Sequence, residues 1–219
     1  NEGGKGFRDV SAESGFRPLG CGLGVVIADL NGDARPDVYV ANDATNNFLF
    51  FNRGGTLDER AGPAGVAADD TGRANGSMGV DVADYDGSGR PAIWVTNFQS
   101  ELHALYHSLG GEAFDHRSRS LGVAAIGMHR VGFGTAFLDL DRDGFEDLVV
   151  VNGHVIRQPA GGALKQLPVL FHNAEKDGRR WLRDASARGG AYFRTPAVAR
   201  GLAVGDLDND GRPDLVVTH

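Results

Sequence analysis

Asp139, Asp141 and Asp143 stand at alternate positions of the stretch DLDRDGFED, and Asp147 closes it. A loop curling around a centre can aim three alternate side chains at one point, and the backbone carbonyl of Phe145 can join them. With Asp147 on the far side, this set supplies oxygens of the kind Ca2+ takes, about six to eight of them at roughly 2.3–2.6 Å. Gly144 permits the sharp turn. Neighbouring carboxylates repel, and a hard divalent ion removes that cost by accepting several oxygens at once. A polar hairpin turn explains one such stretch equally well, because Asp, Asn and Gly are ordinary turn residues.

Recurrence favours the ion. DLNGDARPD begins at Asp29, DYDGSGRPA at Asp84 and DLDNDGRPD at Asp206, so the four first positions lie 55, 55 and 67 residues apart. That spacing is close to the length of a propeller blade, where repeats run about 40–50 residues. An EF-hand is ruled out, since it needs Glu at the twelfth position and flanking helices. Here Val150 stands at that position, in a β-like run. Mg2+ demands compact octahedral geometry and keeps its waters, and zinc prefers His or Cys, which these loops lack.

Around each loop the elements repeat, most clearly in GFGTAFLDLDRDGFEDLVVVNG from Gly132 to Gly153. Small and apolar residues enter the Asp cluster and a Val-rich run leaves it, which reads as a hairpin of strands A and B with the acidic loop as its turn. Strands C and D follow in NNFLFFNRGG and TLDERA, in ELHALYHSLGG and AFDHRS, and in LPVLFHNAEKDGRR and WLRDAS. The stretch SELHALYHSLG could instead be a short helix; its place in the repeat favours strand C. Long Gly-, Ala- and Pro-rich linkers return from D to the next A, and loops of that length tend to build binding surfaces.

The expected fold is therefore all-β, a propeller of four-stranded blades of which about three and a half are present. The boundaries are an N-terminal strand at 6–11, blades at 22–60, 77–118 and 133–186, and a half blade at 201–219, in a single domain. Closed propellers have at least about four blades. The chain accordingly reads as a partial propeller, completed by further blades or by another chain. It opens on Asn1 and has neither a bilayer-long apolar run nor a basic-then-apolar leader.

A net charge of −7 and the lack of a basic cluster interleaved with aromatics argue against nucleic acid. Thirteen aspartates fall in the four loops, so four divalent ions would bring the charge to about +1. Much of the acidity is ligand inventory. Cys21 is the single cysteine, so no disulfide or CxxC site can form, and flanked by glycines it reads as a small buried residue.

The FG-GAP/VCBS repeat, found in integrin α-subunit propellers and many bacterial secreted proteins, resembles these D-x-[DN]-x-D-G-x-x-D loops with DLVV after them. FRDVSAESGF and DVYVANDATNNFLFFNRGGT are similar to the ASPIC/cartilage-acidic-protein-like group within it. The resemblance covers essentially the whole chain. It implies a seven-bladed propeller with Ca2+ in the A–B loops on one face and partner contacts on the other. Carried over by position, the ligands of the fourth loop are Asp206, Asp208, Asp210, the Arg212 carbonyl and Asp214. Those of the first are Asp29, Asn31, Asp33, the Arg35 carbonyl and Asp37, with Ala34 straining the turn. The second keeps only Asp84 and Asp86 as charged ligands, beside Ser88 and the Arg90 carbonyl, because Ala92 stands at position nine. Three Ca2+ sites are expected, and a fourth at Asp84 and Asp86 is open, with an ion-free turn as the alternative.

Catalytic signatures are sparse. No G-x-S-x-G elbow occurs, and His103 with His107 gives H-x-x-x-H without the adjacent Glu of a zinc protease. On a strand these two histidines would lie about 13 Å apart. His129 and His154 fall in loops, and Arg73, Arg130 and Arg200 each precede a strand A, where they could ring a central channel. Trp94 and Trp181 lie inside expected strands. The favoured function is a secreted, periplasmic or cell-surface calcium-binding interaction module for a protein or glycan partner. The alternative is a carbohydrate-binding or carbohydrate-active propeller.

Overall fold

The computed structural model describes residues 1–16, 19–123 and 126–219. Three antiparallel four-stranded sheets and a two-stranded one follow in chain order, each with its strands in sequence order. Blade one comprises β1 (Gly22–Ala28), β2 (Asp37–Asn42), β3 (Phe48–Asn52) and β4 (Leu57–Glu59). Blade two holds β5 (Val80–Ala83), β6 (Ala92–Val95), β7 (Ala104–Gly110) and β8 (Ala113–His116). β9 (Gly132–Leu138), β10 (Asp147–Asn152), β11 (Val169–Lys176) and β12 (Arg179–Asp184) form blade three, and β13 (Leu202–Gly205) with β14 (Asp214–Val217) the half blade. No sheet closes on itself, and the architecture is a partial β-propeller. The stretch ELHALYHSLG contains strand β7, as its place in the repeat requires. No helix is long and apolar enough to cross a membrane among the described residues.

Blades pack face to face through apolar layers. Tyr39, Leu49 and Phe51 of blade one meet Ile93, Val95 and Tyr106 of blade two, while Trp94 and Leu105 meet Leu148, Val150 and Phe171 of blade three. Polar groups stitch the same seams: the Trp94 indole donates to Thr135 at 3.0 Å, and Asp81 accepts the Phe137 N–H at 2.7 Å. Glycine sets the spacing. A Cβ at Gly24, Gly79 or Gly134 would collide with backbone atoms of Met78, Phe133 or Leu202, each at the inner edge of the following blade.

Two expectations are corrected. Residues 6–10 form no strand, because among the described residues no C strand is left unpaired to take their backbone groups, and Ser11–Ser14 is a single helical turn. Such a turn follows the D strands as well, at Ala61–Ala64 and Ser186–Arg188. Gly15, Gly65 and Gly122, all at positive φ, then approach backbone carbonyls of the next D strand, those of Leu57, Phe114 and Leu182. The N-terminal segment thus packs on blade one as each linker packs on its neighbour. Cys21 is exposed, not buried, because it enters β1 on a face that no preceding blade covers. That face also exposes Leu23, Val25 and Ile27, at 59%, 62% and 65%.

Candidate metal centres in the A–B loops

All four acidic loops adopt one backbone path. Positions four and six are left-handed throughout: Gly32 and Ala34, Gly87 and Gly89, Arg142 and Gly144, Asn209 and Gly211. The first carboxylate holds that path by accepting the N–H groups of positions five and six. Asp29 takes those of Asp33 and Ala34 at 3.1 and 2.8 Å, and Asp139 those of Asp143 and Gly144 at 3.1 and 2.9 Å. Asp206 does the same with Asp210 and Gly211, and Asp84 with Ser88 and Gly89. Position five in turn accepts the N–H of position seven, in Asp33, Asp143 and Asp210.

Position nine closes the loop from the base of strand B. Asp37, Asp147 and Asp214 accept the N–H of Leu30, Leu140 and Leu207, the second residue of each loop, at 2.9, 3.3 and 2.8 Å. Asp37 and Asp147 also take the N–H of Asn52 and Asn173 on strand C, both at 2.8 Å. The Asn52 and Asn173 amides then donate to the carbonyls of Pro36 and Glu146 just before position nine. Burial pushes the carboxyls of Asp37 and Asp147 above the usual range, and the hydrogen bonds offset this only in part. At Asp29 burial also acts upward but is outweighed by the N–H groups of Ala34, Gly32 and Asp33, so its carboxyl titrates low.

The donors fit a hard divalent cation. Oxygens of Asp139, Asp141 and Asp143 lie within 4.8 Å of one another, as do those of Asp206, Asp208 and Asp210. A carboxylate offers about four lone-pair sites, so the internal hydrogen bonds leave capacity for an ion. In the first loop, Asn31 donates to Asp33 at 3.0 Å and the Arg35 guanidinium pairs with the same oxygen at 2.5 Å. The second loop lacks the closing carboxylate, and Ala92 there is buried.

Two residues outside the loop motif enter it from strand C. His172 lies 3.0 Å from Asp147 and 3.6 Å from Asp141, and His107 lies 3.6 Å from Asp86. The loops themselves contain no histidine, so the spacing of aspartates gave no sign of these imidazoles; strand register alone delivers them. His103 turns elsewhere: its Nδ1 accepts the Asn97 N–H, and its ring meets Trp94 edge-on. His154 is buried against Phe98. Arg200 is committed to the carbonyls of Gly153, Ala199 and His154 and lies over Phe133, which speaks against a free channel arginine.

A family model for the FG-GAP-like repeat matches residues 29–95 and 139–217, about two thirds of the chain. Each match begins on the first aspartate of an acidic loop. Cartilage acidic protein 1 of Homo sapiens is 27% identical over 215 residues, covering 97% of this chain and 30% of that protein. The Mus musculus and Xenopus tropicalis proteins of the same name are 26% and 27% identical with similar coverage. The chain thus spans about a third of the length of these relatives. With four acidic hairpins in one geometry and the family's repeat pattern across most of its length, the chain belongs to the FG-GAP-like repeat family.

Proposed function

We propose that this chain is a stretch of Ca2+-braced propeller acting as a non-catalytic interaction module. The ions sit at Asp139–Asp147, Asp206–Asp214 and Asp29–Asp37. One observation carries the reading: three loops share carboxylates at positions one, five and nine on one backbone path, and in the third and fourth a further aspartate at position three completes a cup of hard oxygens. When bound, the ion screens the repulsion between those carboxylates, and the chain's part is to hold them at one point. Exposed sites of this kind suit the weak affinities, about 10⁻⁴–10⁻³ M, of extracellular Ca2+ modules. The name of the cartilage proteins agrees with an extracellular setting.

Partner contacts fall at the opposite end. There a cavity of about 320 Å³ is lined by Leu23, Met78, Phe98 and Phe133 with Asp43 and Glu101, from the B–C loops and the starts of the A strands. Apolar walls with a few acidic groups suit a protein partner carrying a basic or amide side chain on an apolar base. The exposed apolar face of β1 is covered by a further blade, a reading supported by the greater length of the relatives.

Calorimetric titration of chelated protein with Ca2+ tests the reading. Three ions per chain are expected, and fewer than two would overturn it. Saturation to about a hundred times Kd should add about 2.7 kcal/mol per site, seen as a chelator-sensitive melting temperature.

A further inference from the structure

Strand C of blade three brings an imidazole into the third acidic loop. The Nδ1 of His172 lies 3.0 Å from an oxygen of Asp147 and 3.6 Å from one of Asp141. Donor atoms of all three residues fall within 4.8 Å of one another. Leu148 pairs with Phe171 as Val38 pairs with Phe50, so Phe51 stands in blade one where blade three has His172. In blade two His107 holds that place, but Ala92 faces it, and it pairs with the single carboxylate of Asp86. Among the described residues, only in blade three do an imidazole and two carboxylates gather their donor atoms at one point.

We propose that Asp141, Asp147 and His172 form a mixed nitrogen and oxygen site for a divalent transition metal such as Zn2+, which exchanges with Ca2+ at the third loop. Two donors about 2.0–2.1 Å from one metal lie about 3.0 Å apart in octahedral and about 3.4 Å apart in tetrahedral geometry. Both spacings from His172 are close to those values. Asp147 is buried and held by the N–H groups of Leu140 and Asn173, so one ligand is fixed before an ion arrives. A single proton bridges His172 Nδ1 and Asp147 in the metal-free loop; a cation takes the place of that proton, and Nε2 then carries the ring hydrogen. An imidazole selects a borderline metal over Ca2+, which prefers oxygen alone. The three residues also line a cavity of about 370 Å³ between blade three and the half blade, whose other walls include Leu170, Phe193 and Leu215. The cavity gives an ion a route in, with room for water at the coordination positions the protein leaves open. Asp141 and Asp147 are Ca2+ ligands in the reading above, on which the exchange rests, and one loop holds one ion at a time.

The test is a Co2+ titration of the full chain after chelation, read by visible absorption and by paramagnetically shifted imidazole resonances, with Zn2+ as competitor. Ca2+ uptake is counted by calorimetry with and without saturating Zn2+. One equivalent of Co2+ should bind with one shifted imidazole and be displaced by Zn2+, and Zn2+ should lower the Ca2+ count by one. His172→Phe, which installs the residue blade one uses, should lower Co2+ affinity by more than the roughly hundredfold that loss of an outer-shell partner costs, and should leave the Ca2+ count unchanged. Asp141→Asn, at an exposed position, should lower Co2+ affinity in the same direction if His172→Phe fails to fold. Undiminished Co2+ binding in both variants, loss of the shifted imidazole only in His107→Phe, or a Ca2+ count indifferent to Zn2+ would each overturn the site. Ca2+ uptake without Co2+ binding would overturn it and leave the Ca2+ reading standing; Co2+ binding without Ca2+ uptake would overturn the Ca2+ reading and, with it, the exchange.

Discussion

The third loop, Asp139–Asp147, and the second, Asp84–Ala92, follow the same backbone path with different side chains. Both turn left-handed at positions four and six, and both fasten the turn with the first carboxylate. Only the third has an aspartate at positions five and nine. The hairpin's shape therefore depends on one aspartate and two tolerant positions, while the ligand set is a separate layer laid over it. A repeat can change its set of potential ligands without losing its turn.

The sharpest way to break that comparison is Asp147→Ala. It strips a buried acceptor from the N–H groups of Leu140 and Asn173, each worth about 1–3 kcal/mol when orphaned. A loss of about 3 kcal/mol should appear in urea unfolding even with chelator present. A loss seen only with Ca2+ would mean that the ion, not the carboxylate, holds the hairpin.

Acid should separate the two blades. His103 of blade two stands where strand register gives blade three Pro168, and burial, with Arg130 adding to it, pushes its imidazole down to about 3. The folded chain thus holds it neutral, and its stability is intact above the ordinary histidine value near 6.5. Stability falls as pH drops from there towards about 3, by about 1.4 kcal/mol per unit. About 2 kcal/mol should be gone at pH 5, and His103→Gln should flatten the profile. A slope unchanged in that variant would assign the titration elsewhere.

Ala92→Asp runs the comparison in reverse by giving the second loop the missing closure. The variant should take up an additional Ca2+, with affinity raised about tenfold, or about 1.4 kcal/mol, counted by calorimetry on protein that melts in the parent's range. The smallest effect concerns the first loop, where Ala34 adopts φ 64° at a position that is glycine in the other three. Ala34→Gly should stabilise by about 0.5 kcal/mol, since relief of the Cβ clash slightly exceeds the added chain entropy. Thermal melts in chelator would show it.

The acidic loops and the strands flanking them were legible because both depend on short-range pattern: alternate aspartates, a glycine, then a β-branched run. The ends of the strands were less so. Residues 6–11 carry the sequence of a D strand, but a strand needs a partner, and pattern alone does not supply one. Arg142 and Asn209 gave no sign of their left-handed backbone, which the loop's hydrogen bonds impose on them. His107 and His172 reach their loops through strand pairing with positions 15 and 25 residues away, a relation visible only once register is known. Cys21 was misplaced for a similar reason: burial depends on which face a neighbour covers.

Gly24, Gly79 and Gly134 put the backbone of one blade directly against the backbone of the next. Contacts of this kind do not care which side chains a neighbour carries, so successive units need share only a small residue at that point. Duplication or loss of a unit during descent would leave the seams serviceable, and each acidic loop would be free to drift in its side chains while its unit stays in the array.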